Sequence, residues 1–111
     1  MFPNGEWLNK MLSEIHYFHT KIGNFRMYGD VTGYFTLTNL DSKIQYEFDG
    51  EEAIKVVDLY VKAKNLDDFV REFFLNNFHN RLPSFPIELE QMDIDYMNEV
   101  KFGKSYEKLY I

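Results

Sequence analysis

The sequence predicts an α+β fold in a single domain spanning residues 1–111: an N-terminal helix, an antiparallel sheet of three to four strands, two central helices and a C-terminal strand or helix. Three observations carry this reading. Apolar residues recur at helical spacing before Gly23, they alternate with polar ones every second residue between Phe25 and Phe48, and the helical spacing returns from Ile54 to Phe78.

The first helix is expected over residues 5–22. Leu8, Met11, Leu12, Ile15, His19 and Ile22 follow the i, i+3, i+4, i+7 rule, while Asn9, Ser13, His16 and Thr20 fall opposite them. Asn4 suits the N-cap, and Lys21 with Gly23 reads as a C-terminal stop. Three strands follow, carried by Phe25 and Met27, by Phe35 and Leu37, and by Ile44, Tyr46 and Phe48, with Thr36, Thr38, Gln45 and Glu47 between. Turn residues at 29–33 and 39–42 join them most simply into an antiparallel meander.

Asp49 stands three residues before Glu52, a capping-box-like start for a helix over 50–64 that carries Ile54, Val57, Tyr60 and Val61 on one face. Asn65, Asp67 and Asp68 repeat the pattern ahead of Phe69, Val70, Phe73, Phe74 and Phe78, a third helix over 66–79. The expected core is Leu12, Ile15, Phe35, Leu37, Tyr46, Phe48, Ile54, Val57, Val61, Phe69 and Phe73.

Pro83 and Pro86 end the helical run. Beyond them Ile87 to Glu90 alternates, as does Met92 to Tyr96, one residue out of phase at Gln91, so a bulged strand over 87–102 is favoured. The rival is a helix using Leu89, Met92, Tyr96, Met97 and Val100. It would place Asp93 inside its apolar stripe and Ile87 and Ile94 outside it.

Composition narrows the function classes. Phe 11, Tyr 8 and Trp 1 are more rings than one small core encloses, so some should reach the surface, where aromatics anchor partners. With Cys 0, disulfides, thiolate nucleophiles and thiolate metal sites are excluded, which points to the cytoplasm. No signal-peptide pattern or membrane-length apolar run is present. The net charge of −6 resides in residues 46–111, which disfavours direct nucleic-acid binding and favours a basic protein partner. Plentiful Phe, Tyr, Asn, Lys and Ile beside scarce Ala and Arg is the bias of AT-rich coding, as in AT-rich bacteria, their phages and plasmids.

No catalytic or metal pattern stands above its structural alternative. His16 and His19 are three apart, whereas paired zinc histidines on a helix favour i, i+4, and no third ligand is identifiable. His79 reads as a helix C-terminal device, and Ser13, Ser42, Ser84 and Ser105 lack a nucleophile-elbow context. The acidic loops lack phosphate-cradling chemistry, and Asp93–Asp95 and the Asp49, Glu51, Glu52 cluster lack EF-hand spacing. No cofactor is expected.

The distinctive stretch is residues 82–100, with no Lys or Arg. Glu88, Glu90, Asp93, Asp95 and Glu99, with Tyr96 as an aromatic anchor, form the expected partner-binding face; on an extended chain alternate carboxylates would stand about 6 to 7 Å apart, an outline like a nucleic-acid backbone. A solvated charged face is the ordinary alternative. The expected function is therefore a non-enzymatic phage- or mobile-element inhibitor of a nucleic-acid-handling defence protein, of the anti-CRISPR or anti-restriction kind. An immunity protein or antitoxin and a homo-oligomeric structural or adaptor subunit stand as alternatives, and a homodimer is the second partner class.

Overall fold

The computed structural model describes residues 15–29, 34–101 and 107–110, with side chains through Val100. Six antiparallel strands form one sheet: β1 (Ile15–His19), β2 (Asn24–Gly29), β3 (Phe35–Asn39), β4 (Ile44–Phe48), β5 (Ser84–Pro86) and β6 (Glu107–Tyr110), in the order β5-β4-β3-β2-β1-β6. The helices are α1 (Gly50–Lys62), α2 (Leu66–Leu75), the single turn α3 (Phe78–Arg81) and α4 (Gln91–Lys101). The α+β class and the meander of the predicted strands, now β2 to β4, are as the period-two alternation implies.

The predicted helix over 5–22 is not formed where it can be compared. Residues 15–19 are strand, paired with β2 on one side and β6 on the other, and the first fourteen residues lie outside the described part, Leu12 among them. The physical reason is that both faces of this strand are covered. Phe18 enters one apolar cluster and Tyr17 the other, so no polar side remains to reveal the period-two pattern. Lys21 and Gly23 belong to a hairpin rather than a helix stop: Thr20 and Gly23 exchange backbone hydrogen bonds of 2.8 and 3.2 Å. Gly23 has φ +155, and a Cβ there would meet the Asp41 carboxylate at 2.5 Å, the same group that accepts from the Asn24 N–H.

The helices α1 to α3 cover one face of the sheet. Phe18, Phe25, Met27, Phe35, Leu37, Tyr46 and Phe48 meet Ala53, Val56, Tyr60, Phe69, Val70, Phe73 and Phe78 there. The rings interlock, with Tyr46 edge-on to Phe73 at 5.5 Å and Tyr60 edge-on to Phe69 at 5.1 Å. Asn65 caps α2 by accepting the Asp68 N–H at 2.8 Å, as its place in the sequence implies.

Two details depart from expectation. In α1 the core side is Ala53, Val56 and Tyr60; Val57 and Val61 are partly buried and Ile54 is 69% exposed. Two alanines, Ala53 and Ala63, face the core, and ranking by hydrophobicity alone shifts the stripe by one residue toward the larger side chains. The third helix stops at Leu75 because Asn77 adopts the left-handed conformation, φ 61, before α3 begins.

Residues 91–101 are helix, not bulged strand. Burial at Asp93, Tyr96 and, in part, Met97 and Val100 follows helical spacing, and Ile94 faces out. The buried carboxylate that argued against a helix is the group that fastens it.

Candidate functional site

The second face of the sheet carries polar side chains where the first carries rings. The strand registers Tyr17↔Arg26, Arg26↔Thr38, Thr38↔Gln45 and Gln45↔Phe85 align one cross-strand row over five strands. The helix α4 lies over part of this row. Asp93, in its first turn, is 0% exposed and sits at the centre.

Every lone pair of the Asp93 carboxylate is engaged. Arg26 donates from Nη1 to Oδ1 at 2.7 Å and to Oδ2 at 2.8 Å, and the Tyr17 hydroxyl donates to Oδ1. The Glu90 backbone N–H donates to Oδ2 at 2.9 Å, so the same carboxylate also satisfies an amide at the start of α4. Arg26 is held in turn by Gln45 Oε1 at 3.1 Å, and Thr38 donates to that same oxygen at 2.9 Å. A cation and two further donors, the Tyr17 hydroxyl and the Glu90 amide, stand where water would solvate this carboxylate at the surface. Burial, and then the hydrogen bond and charge of Asp93, push the Tyr17 phenol well above its ordinary range; Arg26 opposes this only in part. Tyr17 is thus a fixed donor, not a base.

A small apolar cluster completes the contact. Tyr17 stacks on Tyr96 with ring centroids 5.0 Å apart, Leu40 is buried beside them, and Ile15, Leu89, Met97 and Val100 pack around.

Of the sequence-predicted binding residues, the structure brings Glu88, Glu90 and Asp95 to the surface, while Glu99 is half-buried. Asp93 and Tyr96 are interior, so neither presents a group to a partner in this conformation. The regular row of carboxylates on an extended chain is not formed, because Asp93, Asp95 and Glu99 lie on α4 and point in different directions around it, while Glu88 and Glu90 precede the helix. Asp95 accepts from the Gln91 amide at 2.9 Å. Three apolar side chains share the exposed segment: Phe85 at 38%, Met92 at 38% and Ile94 at 39%.

His16 and His19 stand an odd number of residues apart on a strand and so point to opposite faces; His16 lies 5.3 Å from the Phe18 ring, and His19 Nδ1 is 2.8 Å from Asn24 Oδ1. Among the described residues no group of three metal-ligating side chains comes together. Nor is any described helix long and apolar enough to cross a membrane.

Comparison with protein-family models, with curated proteins and with solved structures finds no match to this chain. The functional reading therefore stands on its own surface and interior.

The sequence reading missed Arg26 and Tyr17 as partners of Asp93, and Thr38 and Gln45 as the residues that hold Arg26. One signal was there: a carboxylate inside an apolar helical stripe demands a buried cation, and Arg26, one of only three arginines, sits within an alternating strand.

Proposed function

We propose that the chain is a small, acidic, non-catalytic inhibitor that works in the cytoplasm by docking on a basic, nucleic-acid-handling surface of a protein partner, as a phage- or mobile-element product blocking a defence nuclease would. One observation carries this reading. Residues 85–95 expose Glu88, Glu90 and Asp95 beside Phe85, Met92 and Ile94, in a stretch without Lys or Arg. Carboxylates interleaved with apolar side chains suit a surface that grips phosphates with Lys and Arg: the charges steer the encounter and the apolar groups supply contact area.

The test is the triple variant Glu88→Lys, Glu90→Lys, Asp95→Lys, which leaves Asp93 and Tyr96 in place. Exposed charges add little to stability individually, so the variant should remain folded by circular dichroism. Affinity capture from lysate with the native chain, repeated with the variant, should recover a basic nucleic-acid-handling protein only in the first case. That complex should weaken as salt rises from 0.1 M, where the Debye length is about 10 Å, toward 1 M, where it is about 3 Å. A captured partner held equally well by both forms, with no salt dependence, removes the acidic surface from the reading. A shift of duplex DNA by the isolated protein at physiological salt removes the partner class.

A further inference from the structure

On the second sheet face, Tyr17, Arg26, Thr38 and Gln45 are assembled across four neighbouring strands before any residue of α4 is added. The guanidinium is aimed by Gln45, itself engaged by Thr38, and the Tyr17 hydroxyl converges on the same point. The Arg26 guanidinium and the Tyr17 hydroxyl are the donors, and together they suit a planar two-oxygen anion. The occupant is Asp93, delivered from a segment 67 residues further along the chain than Arg26.

Among the described residues, the apolar attachment of that segment is narrower than that of α1 or α2: each of those encloses three apolar side chains, whereas α4 encloses Tyr96 and partly buries Met97 and Val100. Of the residues in α4 with described side chains, only Asp93 and Tyr96 are fully enclosed, and Met92, Ile94, Asp95 and Asn98 face out. Among the described residues, the apolar cluster beneath has Tyr17, Leu40 and Tyr96 buried with Ile15, Leu89, Met97 and Val100 partly buried around them, whereas the cluster on the opposite face gathers the helices α1 to α3. Local opening favours the element with the fewest enclosed apolar groups.

We propose that the sheet carries a carboxylate receptacle built by Arg26, Tyr17, Thr38 and Gln45, which Asp93 occupies in cis, and that α4 is a strap that lifts as a unit to free it. A free carboxylate occupies the vacated position. This does not depend on the proposed inhibitor function, because it concerns the opposite charge and the covered side of α4.

Hydrogen exchange on the intact native chain tests the strap. Amides of α4 should exchange through an opening that leaves α1 and α2 protected, at rates about tenfold or more above those of Phe69 and Phe73. Asp93→Asn should raise the α4 rates further without moving those of α2. If α4 amides exchange only together with those of Phe69 and Phe73, the strap is wrong.

The receptacle has its own test. Asp93→Ala leaves the donors facing a space the size of the missing carboxylate. Sodium acetate should restore α4 protection and raise the melting temperature of this variant above that in sodium chloride of equal ionic strength, with no such difference when Arg26→Met is added. Equal effects of acetate and chloride on Asp93→Ala overturn the receptacle. Should Asp93→Ala not fold in chloride, refolding on addition of acetate is the supporting outcome, and failure to refold is the opposing one.

Discussion

On one face of the sheet Phe18, Phe25, Leu37 and Tyr46 interlock with Phe69, Phe73 and Phe78 over a wide apolar area. On the other, Tyr17, Arg26, Thr38 and Gln45 receive one helix through one carboxylate and one stacked tyrosine. The first arrangement is diffuse: many non-directional contacts each contribute modestly, and removing one leaves a cavity that its neighbours only partly fill. The second is concentrated, since removing a single group leaves a buried charge without its counterion. The same strands thus support two kinds of stability on their alternating side chains.

The largest effect should come from the aromatic face. Phe73→Ala deletes a ring packed against Tyr46, Phe69 and Phe78 and should cost about 3 to 5 kcal/mol, read as a lower urea midpoint by every spectroscopic probe. On the polar face, Arg26→Met leaves Asp93 without its cation, yet the loss is capped by the free energy of docking α4, so about 1 to 3 kcal/mol is expected in the same experiment. A loss as large as that of Phe73→Ala would erase the distinction between the faces. Adding Asp93→Leu to Arg26→Met should return stability to within about 1 kcal/mol of the native chain, because the apolar pair no longer buries a charge.

The smallest effect sharpens the role of the tyrosine. With its phenol raised in the fold, Tyr17 keeps its proton after the unfolded chain has begun to lose one near pH 10. The folded state then binds more protons than the unfolded state, so stability is unaffected below that pH and falls as pH rises above it. Tyr17→Phe should flatten the alkaline decline in melting temperature. Tyr46, also raised by burial, keeps a residual slope of the same sign.

What was legible in the sequence follows the same division. The strands from Phe25 to Phe48 alternate because each has a core side distinct from its polar side, and the Asn65 cap is local chemistry. Strand β1 was hidden because Tyr17 and Phe18 are both enclosed, on opposite sides, and its neighbour β6 lies at the far end of the chain. The helix α4 was hidden because its central residue is polar: pattern reading treats a carboxylate in an apolar stripe as an error, and only the fold supplies the Arg26 that makes it a fastening. The same omission placed Asp93 and Tyr96 on a binding face, while Glu88, Glu90 and Asp95, whose surroundings are local, were placed on the surface correctly.

The strand that ends the sheet beyond β4 also decides what can attach there. The Glu47 N–H donates to the Pro83 carbonyl at 3.0 Å and the Ile87 N–H to the Lys43 carbonyl at 2.9 Å, so odd-numbered residues of this segment turn their backbone toward β4. Ser84 and Pro86, by parity, turn theirs outward. Proline has no N–H, which leaves the Ser84 amide as the outward donor of β5. A foreign strand meeting this margin finds one amide donor where a ladder needs a series, which disfavours lengthening of the sheet from molecule to molecule along this side.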